Sequence, residues 1–155
     1  MTDEKLLLHL NWLYTLELAQ VDFYLTQAER SEDEYISHML LHLVDKEIVH
    51  AKRIKKHIKI LDGVPTKIGS SLSKISGFLS EFTTYFGTVN MFLLNYNLET
   101  LALHDYTYFI KKIDVHTRER KELVEDLFQN LMDEDLHRNW FISRREALKE
   151  IKEKN

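Results

Sequence analysis

Apolar positions keep a helical period through most of the chain. Leu6, Leu10, Leu13, Val21, Tyr24 and Ala28 share one stripe, and Tyr35, Met39, Leu43, Ile54, Ile58 and Leu61 share a second. A third stripe runs through Phe92, Asn95, Ala102, Tyr106 and Phe109, and a fourth through Leu123, Leu127, Leu131, Phe141, Arg145 and Leu148. Four helices of about 25 to 30 residues follow, each about 40 Å long. Ser31-Glu32-Asp33-Glu34 reads as a capping box that opens the second helix, and Gly63 followed by Pro65 as the C′ glycine and stop that end it.

The connections predict the topology. Short turns near Arg30-Ser31 and from Asp114 to Thr117 make each pair of helices an antiparallel hairpin, and residues 63–88 form a longer crossover between the hairpins. Within it Leu72, Ile75, Leu79, Phe82, Phe86 and Val89 keep a helical period, which suggests an extra helix or an extension of the third. Its apolar face is expected to cover one end of the bundle; the alternative is peripheral contact with a membrane, or with a lipophilic substrate, through 70–90. The expectation is an all-α, antiparallel four-helix bundle forming a single domain over 1–155.

Composition narrows the chemistry. One Pro and four Gly in 155 residues leave few helix breakers, and 21 Lys+Arg against 25 Asp+Glu give a net charge of -4, which argues against nucleic acid as a partner. With no cysteine, disulfide scaffolds, thiol nucleophiles, rubredoxin-type iron and iron–sulfur clusters are excluded. Any metal must use oxygen and imidazole ligands. Uncharged runs are too short to span a bilayer, and the acids in MTDEKLLLHL do not fit a secretory leader, so a cytoplasmic protein is expected, with a homodimer as its assembly.

Two of the eight histidines follow a glutamate by three residues, as Glu47-x2-His50 and Glu134-x2-His137. Alone this is a weak signal; its position strengthens it. Glu47 and His50 interrupt the second apolar stripe, Glu134 and His137 the fourth, Glu17 the first and Glu99 the third. A charged carboxylate in a core stripe costs several kcal/mol unless it is paired or binds a metal. The halves also repeat: Glu17-x6-Tyr24 precedes Glu47-x2-His50 as Glu99-x6-Tyr106 precedes Glu134-x2-His137, with separations between the glutamates of 30 and 35 residues. Seven residues return to the same helix face, so each tyrosine is expected beside the cavity that its own glutamate lines. Four glutamates balance two divalent ions, and oxygen ligands with one imidazole per ion suit iron, with manganese an alternative.

Other candidates have plainer readings. His38 and His42 are expected at the surface or in packing, and His9, His57 and His116 in solvent or satisfied locally. Asp133 and Asp135 are expected to face water, Trp12 and Trp140 to pack in the core, and Lys52, Arg53, Lys55 and Lys56 to form a polar helix face.

One Glu on each of two helices and Glu-x-x-His on each of the other two resembles the ferritin-like superfamily of bacterioferritins, rubrerythrins and carboxylate-bridged di-iron oxygenases, over residues 5 to 148. His50-Ala51 and Leu61-Asp62-Gly63-Val64-Pro65 are similar to bacterioferritin, but Ile48 stands where that family has its haem-ligating Met, so no haem is expected. The long crossover with Pro65-Thr66 and Gly77-Phe78, and Glu99 followed by His104 and Tyr106, look like the demethoxyubiquinone hydroxylases of ubiquinone biosynthesis. The resemblance implies a non-haem di-iron oxidoreductase using oxygen or peroxide, as a monooxygenase acting on a lipophilic, quinone-like substrate. The alternative is a ferroxidase, iron-handling or peroxide-scavenging protein. Glu17, Glu47 and His50 would bind one iron and Glu99, Glu134 and His137 the other, two carboxylates bridging, with Tyr106, Tyr24 and His104 donating hydrogen bonds or protons nearby. The sequence names no electron donor.

Overall fold

The computed structural model describes residues 1–66 and 87–154. The proposed extra helix, most of the 70–90 membrane contact, and Gly77-Phe78 lie outside the described residues. Four α-helices make up the described chain, with no strand among them: α1 Asp3–Arg30, α2 Glu34–Ile60, α3 Thr88–Ile110 and α4 Arg118–Glu153. They span 28, 27, 23 and 36 residues, so α3 is shorter and α4 longer than the apolar periods suggest. No described helix is long and apolar enough to cross a membrane.

Local chemistry sets the ends. Asp33, not Ser31, caps α2, its carboxylate accepting the Ile36 N–H at 3.0 Å, while Ser31 closes α1 with a backbone bond to Ala28. At the other end Gly63 N–H donates to Ile58 and Asp62 N–H to Lys59, a Schellman closure in which the left-handed residue is Asp62 (φ 53°). Gly63 is there for a different reason: a Cβ at this position would lie 2.4 Å from Leu7 Cδ2 and 3.0 Å from the Ile58 carbonyl. Thr117 caps α4 through the Arg120 N–H at 3.3 Å.

α1 packs along α2, and α3 along α4. Between α1 and α3, Trp12 meets Asp105, Gln20 meets Glu99 and Gln27 meets Asn95. Between α2 and α4, His57 meets Asp126, Arg53 meets Asn130 and His50 meets Asp133. In both interfaces residue numbers fall along one helix as they rise along the other. Among the described residues the core forms two clusters, one around Leu10, Ile54, Phe109 and Leu123, the other around Phe23, Leu40, Phe92 and Phe141.

Several side chains depart from the sequence expectation. Tyr35 is 47% and Trp12 37% exposed, each at the rim of its stripe, and Trp12 donates its indole N–H to Asp105 at 3.1 Å. His57 is buried, bonded to Asp126 of α4 at 2.7 Å rather than to a local group. A helix period places a residue to within one flank of the core; it carries no information about partners on another helix.

Candidate metal centre

All six expected ligands come together at the middle of the helices. Glu17, Glu47, His50, Glu99 and Glu134 are 0 or 1% exposed and His137 5%. Each reaches this depth because it occupies an apolar position of its stripe. Two groups have their ligand atoms within 4.8 Å of one another and can hold a metal ion: Glu17, Glu47, His50 and Glu134, and Glu47, Glu99, Glu134 and His137. Glu47 and Glu134 therefore belong to both.

The donor atoms converge. Nδ1 of His50 lies 3.0 Å from Glu47 Oε2, 3.0 Å from Glu134 Oε1 and 3.5 Å from Glu17 Oε2. Nδ1 of His137 lies 3.1 Å from Glu47 Oε1, 3.7 Å from Glu99 Oε1 and 3.8 Å from Glu134 Oε2. One ring nitrogen carries at most one proton and cannot satisfy three carboxylates. Accordingly Glu17 Oε2, Glu47 Oε1, both Glu134 oxygens and His137 Nδ1 are buried without a hydrogen-bond partner. Buried polar atoms that share a focus and lack partners fit an ion at that focus.

The electrostatics agree. Burial, then the charge on Glu134, push the Glu17 and Glu99 carboxyls well above the usual range. Burial would also raise Glu134, but the close approach of Glu99, His137 and His50 outweighs it and holds Glu134 ionised. Burial opposes charge on both histidines; the surrounding carboxylates overcome it, raising His50 strongly and pushing His137 up to about 9. Without metal the cluster balances its charge with protons, which a bound cation would displace.

No protein-family model and no curated protein matches this chain.

The surrounding residues place both tyrosines at the cavity, as expected, and correct two other expectations. Each tyrosine serves the glutamate of the other half: buried Tyr24 donates to Glu99 and buried Tyr106 to Glu17, not to the glutamate seven residues before it. Burial, then the neighbouring glutamate charge, raise both phenols, so both keep the donated proton. His104 is no part of the centre; its side chain is 76% exposed beside Asp105. Asp133 does not simply face water: its Oδ2 lies 3.1 Å from Nε2 of His50, which fixes that nitrogen as donor and turns Nδ1 toward the carboxylates. Its position one residue before a ligand was a signal available in the sequence, but its partner sits on α2. Behind Tyr106, Asn130 donates to the phenol oxygen at 3.0 Å and accepts from Arg53 at 2.8 Å.

Proposed function

We propose that the chain is a ferritin-like, antiparallel bundle that holds two iron ions and acts as a non-haem oxidoreductase on oxygen or peroxide. The observation that carries this reading is the pair of buried four-residue groups sharing Glu47 and Glu134. Glu17 and His50 would complete one position, Glu99 and His137 the other, and Glu47 and Glu134 would bridge. Four carboxylates would then balance two divalent charges where the chain otherwise needs protons. A bound iron pair supplies one electron from each ion to oxygen or peroxide. The protein's own part is positional: Tyr106 and Tyr24 hold Glu17 and Glu99 by hydrogen bonds from across the bundle, Asp133 orients His50, and the two apolar clusters keep bulk water away.

Hydroxylation of a lipophilic, quinone-like molecule is the finer reading. What supports it is a cavity of about 370 Å³ between α1 and α3, lined by Leu8, Trp12, Tyr108 and Phe109 with Asp105 at its wall, and Asp105 adjoins Tyr106. That volume suits a ring-sized ligand. Inserting one oxygen atom and reducing the other to water would require two electrons from an external donor.

Metal analysis of protein purified without chelator tests the centre: two irons per chain are expected, none in Glu47→Ala or Glu134→Ala. Adding a quinone analogue, reductant and oxygen to the loaded protein tests the substrate. A hydroxylated product supports the monooxygenase; ferrous oxidation or peroxide loss without it moves the reading to a ferroxidase or peroxide scavenger. Absence of metal after anaerobic ferrous reconstitution overturns both.

A further inference from the structure

The repeat relating the two halves breaks down in the residues behind the ligands. Asp133 precedes Glu134, and at the equivalent place before Glu47 stands Lys46. Asp133 engages Nε2 of His50 at 3.1 Å; Lys46 has no acceptor to offer His137, and no hydrogen bond from the described residues reaches Nε2 of His137. Lys46 instead lies 3.7 Å from Asp133 itself.

The same asymmetry continues outward. Asn130, four residues before Glu134, and Arg53, three after His50, form the polar support of Tyr106. Their counterparts in the other half are Leu43 and Trp140, and Tyr24 packs against Phe141 at 5.7 Å between ring centres. Among the described residues Gln20 alone adds a polar contact there, 3.4 Å from Glu99. His50 is fully enclosed, whereas His137 retains 5% exposure.

Resting on the two-ion reading above, we propose that the two positions are unequal: the one completed by Glu17 and His50 holds a resident ion, and the one completed by Glu99 and His137 an exchangeable ion. A carboxylate on the far nitrogen of a ligating imidazole fixes its tautomer and raises its basicity, and loss of such a partner costs about 10- to 100-fold in metal affinity. His50 has that partner and, among the described residues, His137 does not. Asp133 is thus a positioning residue for one ion only, and ions enter and leave at His137.

The test is a titration of chelator-stripped protein with cobalt(II) alone, followed by calorimetry and by the visible cobalt bands, then a chelator challenge. Two steps of one ion per chain are expected, at least about tenfold apart, with one ion lost fast and the other slowly. Asp133→Ala should weaken the tighter step about 10- to 100-fold and shift that ion's cobalt bands, leaving the weaker step in place. Lys46→Ala should change neither. Should Asp133→Ala lose helicity, Asp133→Asn, which keeps the shape and removes the charge, decides with the same readouts. A single two-ion step in the parent, or equal weakening of both steps by the Asp133 variant, overturns the inequality while leaving the two-ion centre standing. Failure to bind cobalt at all overturns the centre itself.

Discussion

On the two-ion reading, removing the metal should destabilise the chain by an amount that follows from the centre's unpartnered atoms. Five of them, Glu17 Oε2, Glu47 Oε1, both Glu134 oxygens and His137 Nδ1, are buried without a hydrogen bond. At about 1–3 kcal/mol each the cost is about 5–15 kcal/mol, as large as the net stability of an ordinary domain. Protons on the raised Glu17 and Glu99 offset part of it, but they leave the shared focus unfilled. Ions bind only the folded state, and at a thousandfold excess over the dissociation constant each contributes about 4 kcal/mol. For a chain of this size two ions should raise the melting temperature by about 15–30 °C. Differential scanning calorimetry of stripped protein with and without saturating manganese(II), which avoids oxidation, measures it. A melting temperature that moves by less than about 2 °C would refute the argument, because the orphaned atoms would then be satisfied without any ion.

Acidity should act with opposite sign on the two forms. In stripped protein His137, held near 9, contributes stability fully present below the unfolded histidine value and lost as pH rises toward 9; the raised Glu17 and Glu99 add stability as pH falls and they take up protons. Urea melts of stripped protein between pH 9 and pH 6 should therefore show stability rising on acidification, while the loaded form weakens as protons compete for its ligands. Equal slopes would contradict this. Glu17→Ala or Glu99→Ala should lower metal content to one ion per chain by elemental analysis, since each belongs to one group only. Gly63→Ala should cost about 1–3 kcal/mol in urea melts, from overpacking against Leu7 and the Ile58 carbonyl. Asp62→Gly should instead be neutral or gain up to about 1 kcal/mol, by relieving the left-handed backbone.

The helices and the six residues of the buried cluster were legible because both follow from one rule. A charged residue at an inward position of a long apolar stripe must find compensation, and four such stripes locate the centre. What stayed hidden depends on contacts between helices. Nothing local to Tyr24 says that it bonds Glu99 rather than Glu17, and nothing local to Asp133 or His57 names its partner on a different helix. His104 was drawn toward the centre by its closeness to Glu99 in sequence, yet five residues along a helix turn it well away from that face. The ends of α2 were placed to within two residues but with the wrong chemistry: aspartates at 33 and 62 do what serine and glycine were expected to do.

The division of the ligands between the hairpins has a kinetic consequence. α1 and α2 carry Glu17, Glu47 and His50, α3 and α4 carry Glu99, Glu134 and His137, and both four-residue groups draw on both hairpins. A nascent chain that has folded only its first hairpin thus owns three of the four residues of one group and one of the other, and completes neither. On the two-ion reading, full metal capture would be the last event of assembly, and the rate at which a refolding chain sequesters its ions would be a clock for the docking of its two halves.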